Sequence, residues 1–139
     1  MAFLPYLNFG TTTRDAFTRY HEIFGGELTL LRMSDLPPGQ MPADANPDLI
    51  MHAALLLGDD MLMASDTGDP DFAPVHGMYT YWSTPDEAEA RRVFAALSEG
   101  GQVEMPIEPT FWAKAFGACR DRFGTQWMIS ADAPADAGG

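Results

Sequence analysis

Apolar and polar residues alternate through FLPYLNF near the start of the chain. Leu7 and Phe9 fall on one side of an extended segment, Tyr6 and Asn8 on the other. The period then changes. Ala16, Phe17, Tyr20, Ile23 and Phe24 recur at helical spacing and predict one apolar stripe. Thr12 with Asp15 three residues later predicts a capping box, and Gly25-Gly26 predicts the end of the helix. ELTLLRM returns to strand patterning. LIMHAALLL and MLMAS, joined at Gly58-Asp59-Asp60, predict a hairpin.

The same order then repeats. MYTYW predicts a strand, and Thr84-Pro85-Asp86-Glu87 predicts a helix start, with Thr84 and Glu87 as capping box and Pro85 at the first helical position. Ala90, Val93, Phe94 and Leu97 form its apolar face, and Gly100-Gly101 ends it. QVEMPI, FWAKAFGACR and QWMIS predict three more strands, with a turn at residues 121–125 before the last. The order is βαβββ, twice. A four-stranded sheet with one helix has only one face covered, so two such modules predict an α+β fold. They would form a curved mixed sheet around a cleft, with the helices on the outer face. The expected modules span about residues 3–66 and 76–131 of a single domain, 1–131, followed by a disordered tail at 132–139. Residues 34–48, with four prolines, form a long excursion of no predicted structure, as lids and binding loops often do.

Composition narrows the function. Twenty acidic against eight basic residues leave a net charge of −12 over 139 residues, which repels a phosphate backbone and argues against nucleic acid. No apolar run is long enough to cross a bilayer, and the opening MAFLPYLNFG lacks the features of a signal peptide, so a cytoplasmic protein is expected. Cys119 is the one cysteine, consistent with a reducing compartment, and reads as a small buried hydrophobe.

The paired βαβββ pattern resembles the vicinal oxygen chelate superfamily, which includes glyoxalase I, extradiol dioxygenases and the bleomycin and fosfomycin resistance proteins. The segments YLNF, AFTRYHEIFGGEL, MPAD, MHAALLLGDDMLMASD and TFWAKAFGACRDRFGTQWMIS resemble its PhnB-like branch, from about Pro5 to Ser130. That branch is often labelled demethylubiquinone methyltransferase-like. The chain shows no Gly-rich turn after a parallel strand, which a methyltransferase of the common type uses to hold its cofactor.

In metal-using members of the superfamily, four ligands come from the first and last strands of the two modules. The resemblance carries those positions to Tyr6, Met63, Tyr79 and Met128, or to Ala64 and Ile129 in the last strands if the register slips by one. None suits a divalent cation, so no cofactor is expected. An alternative metal site would use His52, His76 and Asp66, whereas His21 falls on the outer face of the first helix.

If the helices cover Leu7, Phe9 and Trp82, then Tyr6, Asn8, Tyr79 and Tyr81 face the cleft. His52, Met63, Trp112, Lys114, Trp127 and Met128 are further candidates for its wall, a largely apolar lining with a few polar handles. For any one of these, a plain core role competes with ligand contact; Lys114 also reads as a solvated strand residue, and Arg120 with Asp121 as a structural ion pair. The spacing supports no Ser-His-Asp, Cys-His or paired-carboxylate arrangement. The expected function is metal-independent binding of a small molecule in the inter-module cleft, with catalytic residues unassigned. The alternative is a metal-dependent lyase, isomerase or dioxygenase using ligands such as His52 and His76. A homodimer is expected by analogy with the superfamily.

Overall fold

The computed structural model describes residues 1–132, and among them are two α-helices and eight strands in two four-stranded mixed sheets. The chain divides into two compact units, Met1–Pro74 and the part from Val75 onward. The predicted tail lies outside the described residues except for Asp132, which belongs to the last strand.

In the first unit, β1 (Tyr6–Phe9) leads into α1 (Thr13–Phe24), β2 (Glu27–Arg32), β3 (Ile50–Leu57) and β4 (Asp60–Asp66). The sheet order is β1-β4-β3-β2, with β1 and β4 parallel and the other pairs antiparallel. Alternation decides what lies beneath the helix. Phe9, Ala53, Leu55, Leu62 and Ala64 are buried with Ala16, Phe17, Tyr20 and Ile23 of α1. The Phe17 ring meets Phe9 edge-on at 6.5 Å and Tyr20 at 5.5 Å. Gly26 (φ +85) begins the return to the sheet, and a Cβ there would run into the Leu56 carbonyl.

The start of α1 departs from the expected capping box. Thr12 makes no side-chain cap. Asp66, at the end of β4, instead accepts from the Thr13 amide at 3.0 Å with one oxygen and from the Ile50 amide at 2.9 Å with the other. One carboxylate thus joins the beginnings of α1 and β3. His21 is exposed, and its Nε2 donates to the Gly26 carbonyl at 3.1 Å. The 34–48 excursion opens with a short 3-10 turn at Met33–Asp35. Its base is closed by the Met33 amide on Leu49 and the Ser34 amide on Pro47.

The second unit runs β5 (Tyr79–Thr84), α2 (Glu87–Ser98), β6 (Gln102–Glu108), β7 (Ala113–Arg120) and β8 (Gln126–Asp132), in the sheet order β5-β8-β7-β6. Helix α2 starts later than its sequence predicts. Asp86 is the N-cap, accepting from the Glu89 amide, and Thr84 Oγ1 accepts from the Asp86 amide just before it. Ala90, Val93, Phe94 and Leu97 are buried with Trp127, Ile129, Ala115 and Cys119 of the sheet. Burial pushes the Cys119 thiol up to about 11.

Asp121 anchors the turn between β7 and β8. It is buried, and it accepts from the Phe123 and Thr125 amides and from Trp127 Nε1 at 2.9 to 3.0 Å. The expected pairing of Arg120 with Asp121 is replaced in this geometry by separate tasks. Arg120 donates to the Gly124 carbonyl and to His76 Nδ1, while Asp121 holds the turn. No described helix is long and apolar enough to cross a membrane.

Candidate functional site

Each sheet has one face beneath its helix and one face open. On the open face of the first unit, Tyr6 stands beside Met63 and Asn8 beside Ser65, in parallel register. The Tyr6 hydroxyl lies 3.3 Å from His52 Nδ1, and the two rings are 5.9 Å apart. This is a long hydrogen bond whose direction follows the imidazole tautomer. Tyr6 and Asn8 are exposed, His52 and Met63 half-buried. Four of the candidates therefore share one surface. Asp66 does not join them, because both of its oxygens serve the ends of α1 and β3.

The open face of the second unit carries a denser polar network. Tyr79 stands beside Gln126, and Tyr81 beside Met128. On β6, Gln102 is opposite Arg120, Val103 opposite Cys119 and Met105 opposite Ala118, so Glu104 is an extra residue in a bulge. That bulge aims its carboxylate at the open face. Glu104 accepts from the Tyr79 hydroxyl at 2.7 Å and from Gln126 Nε2 at 3.1 and 3.3 Å. The Tyr79 bond, then the Gln126 bond, hold the Glu104 carboxyl below its ordinary range, with smaller help from the charge of Arg120. In return, the bond to Glu104 raises the Tyr79 phenol above its ordinary value.

The donors are fixed from behind. Gln126 is buried, and its Oε1 accepts from the Gly77 amide at 2.9 Å, which turns its NH2 group toward Glu104. Arg120 is held by the Gly124 carbonyl at 2.8 Å. A guanidinium only donates, so His76 Nδ1 must accept at 2.9 Å and the ring proton of the neutral imidazole sits on Nε2.

The next row along this face is apolar: Tyr81, Met128, Ala118 and Met105 lie in lateral register. Tyr81 is 54% exposed, Met105 50% and Trp112 51%. Trp112 precedes β7 and packs edge-on against Phe111 and Phe116, at 4.8 and 5.6 Å. Lys114 Nζ donates to the Pro85 carbonyl at 2.9 Å. Trp127 is corrected from candidate wall residue to core. It is 2% exposed, lies in register with Cys119 and Thr80, and gives its indole N–H to Asp121.

Glu104 and Gln126, at the centre of the second network, are absent from the residues singled out by the sequence. Gln126 was within reach, since it is the residue two before Met128 on the same side of the strand. Glu104 was not, because regular alternation does not reveal a bulge.

The resemblance implies a divalent metal at these positions in metal-using relatives. Lateral neighbours are Tyr6 with Met63 and Tyr79 with Gln126, a phenol with a thioether and a phenol with an amide. Glu104 adds one carboxylate beside the second pair and His52 one imidazole beside the first, and a single such ligand on a face does not hold a divalent ion. Among the described residues, no three His, Cys, Asp or Glu side chains come together to hold one.

The chain is similar to proteins of known structure and sequence over nearly its whole length. A Pseudomonas aeruginosa protein, PA1353, shares 44% identity with a TM-score of 0.83, covering 94% of this chain and 96% of that one. The Escherichia coli K12 protein YjdN is 30% identical, covering 94% of this chain and 95% of its own. A Bacillus cereus structure described as a putative 3-demethylubiquinone-9 3-methyltransferase, PhnB protein, is 21% identical with a TM-score of 0.74, covering 94% of this chain and 98% of that one. The pattern of the family described as 3-demethylubiquinone-9 3-methyltransferase matches residues 1–130. With the fold, the repeat and these matches in agreement, the chain belongs to the family described as 3-demethylubiquinone-9 3-methyltransferase.

Proposed function

We propose that this protein binds a small molecule with an apolar or aromatic body, without a divalent metal, on the open sheet face of its second unit. The observation that carries this reading is the pairing of two kinds of surface on one face. The oriented polar row of Tyr79, Glu104 and Gln126 lies directly beside the apolar row of Tyr81, Met128 and Met105. A few fixed polar groups beside apolar area are what a small-molecule site requires. Tyr6, Asn8 and His52 offer a smaller site of similar kind on the first unit. Methyl transfer is not part of the reading, because among the described residues the turns from β1 to α1 and from β5 to α2 hold a single glycine, Gly10, and not a Gly-rich loop.

The test is a ligand screen by thermal shift in the presence of a chelator, followed by amide NMR for the hits. Small neutral aromatics such as benzyl alcohol should raise the melting temperature and shift the amides of residues 126–128. Hits that appear only when a divalent metal is added would overturn the metal-independent reading.

A further inference from the structure

We propose that Tyr79 and Gln126, backed by Arg120, form a carboxylate-recognition site, and that the Glu104 side chain is the site's own occupant, replaced when a small aromatic carboxylate binds. This rests on the small-molecule reading above and adds the chemical class of the ligand.

Some partners in this network are fixed and one can leave. Gln126 is buried and pinned by the Gly77 amide, so its NH2 group points at one place whatever stands there. Arg120 is pinned by the Gly124 carbonyl at the β7–β8 turn. Tyr79 sits in regular register on β5. The acceptor is different. Glu104 is exposed and comes from a bulge on β6, a strand at the edge of the sheet. Edge and bulge positions have the least regular pairing to hold them. A fixed set of donors that meets on a carboxylate from an irregular edge is arranged to recognise a carboxylate, not to supply one. Two neutral donors with a guanidinium nearby suit one negative charge spread over two oxygens.

The neighbouring row defines the rest of the ligand. A carboxylate seated between Tyr79 and Gln126 would place its substituent over Tyr81, Met128 and Met105, which are aromatic or polarizable. An aromatic ring matches that surface. The opposite assignment takes Glu104 as the recognising group for an amine. It leaves the pinning of Gln126 and the donor direction of Tyr79 without a purpose, because both already face the carboxylate.

Benzoate, benzyl alcohol and benzylamine separate these cases when titrated by amide NMR against the wild-type protein and the Glu104→Ala variant. Glu104 is a tethered competitor, so removing it should tighten benzoate binding by about tenfold, as expected for loss of an intramolecular rival. Benzyl alcohol, which has no carboxylate to take that place, should change its affinity by less than benzoate does. Adding Tyr79→Phe to Glu104→Ala should return most of the gain. Glu104→Gln, which keeps the side chain's length, should show a smaller gain in the same direction. Benzoate binding that is no tighter in Glu104→Ala, with benzyl alcohol still bound, overturns this inference and leaves the small-molecule reading standing. Benzylamine binding that is lost in Glu104→Ala overturns it in favour of an amine site. If none of the three compounds binds either protein, both readings fall.

Discussion

The open faces of the two units follow the same backbone plan and carry different chemistry. In the first, Tyr6 reaches a single imidazole, His52, across a long 3.3 Å contact. In the second, the equivalent Tyr79 bonds a carboxylate at 2.7 Å, and that carboxylate is shared with an oriented amide. The helix-covered sides also diverge. A carboxylate is central to each unit, but Asp66 joins a helix start to a strand start, whereas Asp121 locks a hairpin turn to an indole. Repetition therefore conserves where a strand runs and which face it shows. It leaves each unit free to place its charged groups separately.

The largest effect should come from breaking the covered side of the second unit. Asp121→Ala would leave the Phe123 and Thr125 amides and the Trp127 indole N–H without their acceptor, at a cost of about 3 kcal/mol in denaturant unfolding. The corresponding Asp66→Ala in the first unit removes two bonds nearer the surface and should cost about 2 kcal/mol. Equal losses would show that the two carboxylates are equivalent after all.

The open faces should respond to pH and truncation more gently. The Glu104 carboxyl is held below its ordinary value of 4.5, so its contribution is fully present above that value and is lost as pH falls through its depressed pKa. The difference in melting temperature between the wild type and Glu104→Gln should shrink below pH 4.5. A constant difference across that range would show that folding does not favour the ionised Glu104 carboxyl. The Tyr79 phenol runs the other way: its contribution is present below 10.0 and is lost as pH rises through the raised value. Tyr6→Phe, by contrast, removes an exposed and long contact and should change stability by less than about 0.5 kcal/mol. Smallest of all, excess zinc, manganese or magnesium should move the melting temperature by less than about 1 °C, because neither open face offers a suitable ligand set. A rise of several degrees would show that the protein holds a divalent ion.

The elements of this fold were largely legible because strand and helix periods are local. Leu7 and Phe9 against Tyr6 and Asn8, or Val93 and Leu97 along one stripe, need no knowledge of the rest of the chain. The caps were less legible for a physical reason. The acceptor for the first turn of α1 is Asp66, 53 residues away from Thr13, so the plausible local pair of Thr12 and Asp15 pointed to the wrong group. In α2 the correct N-cap, Asp86, was only two residues from the predicted Thr84.

The site shows the same division. Alternation, once the helices are taken to cover Leu7, Phe9 and Trp82, is enough to put Tyr6, Asn8, Tyr79 and Tyr81 on the sheet faces away from the helices. The assignment of Trp127 to the same surface as Met128 conflicted with that period, since neighbours in a strand point to opposite sides. Glu104 could not be found this way. A bulge adds one residue to the count, and the shift is decided by pairing with β7.

The bond between Tyr79 and Glu104 has a mechanical consequence. These residues belong to β5 and β6, the two outermost strands of their sheet. In a flat sheet such strands stand roughly 14 Å apart, three inter-strand spacings. The contact therefore ties the two edge strands together across the open face, over Gln126 and Arg120. Whatever takes the place of the Glu104 carboxylate would release that tie. Occupancy of one face would then be felt along the whole of β6 as faster amide exchange, so the strand that guards the edge would also report that the face is filled.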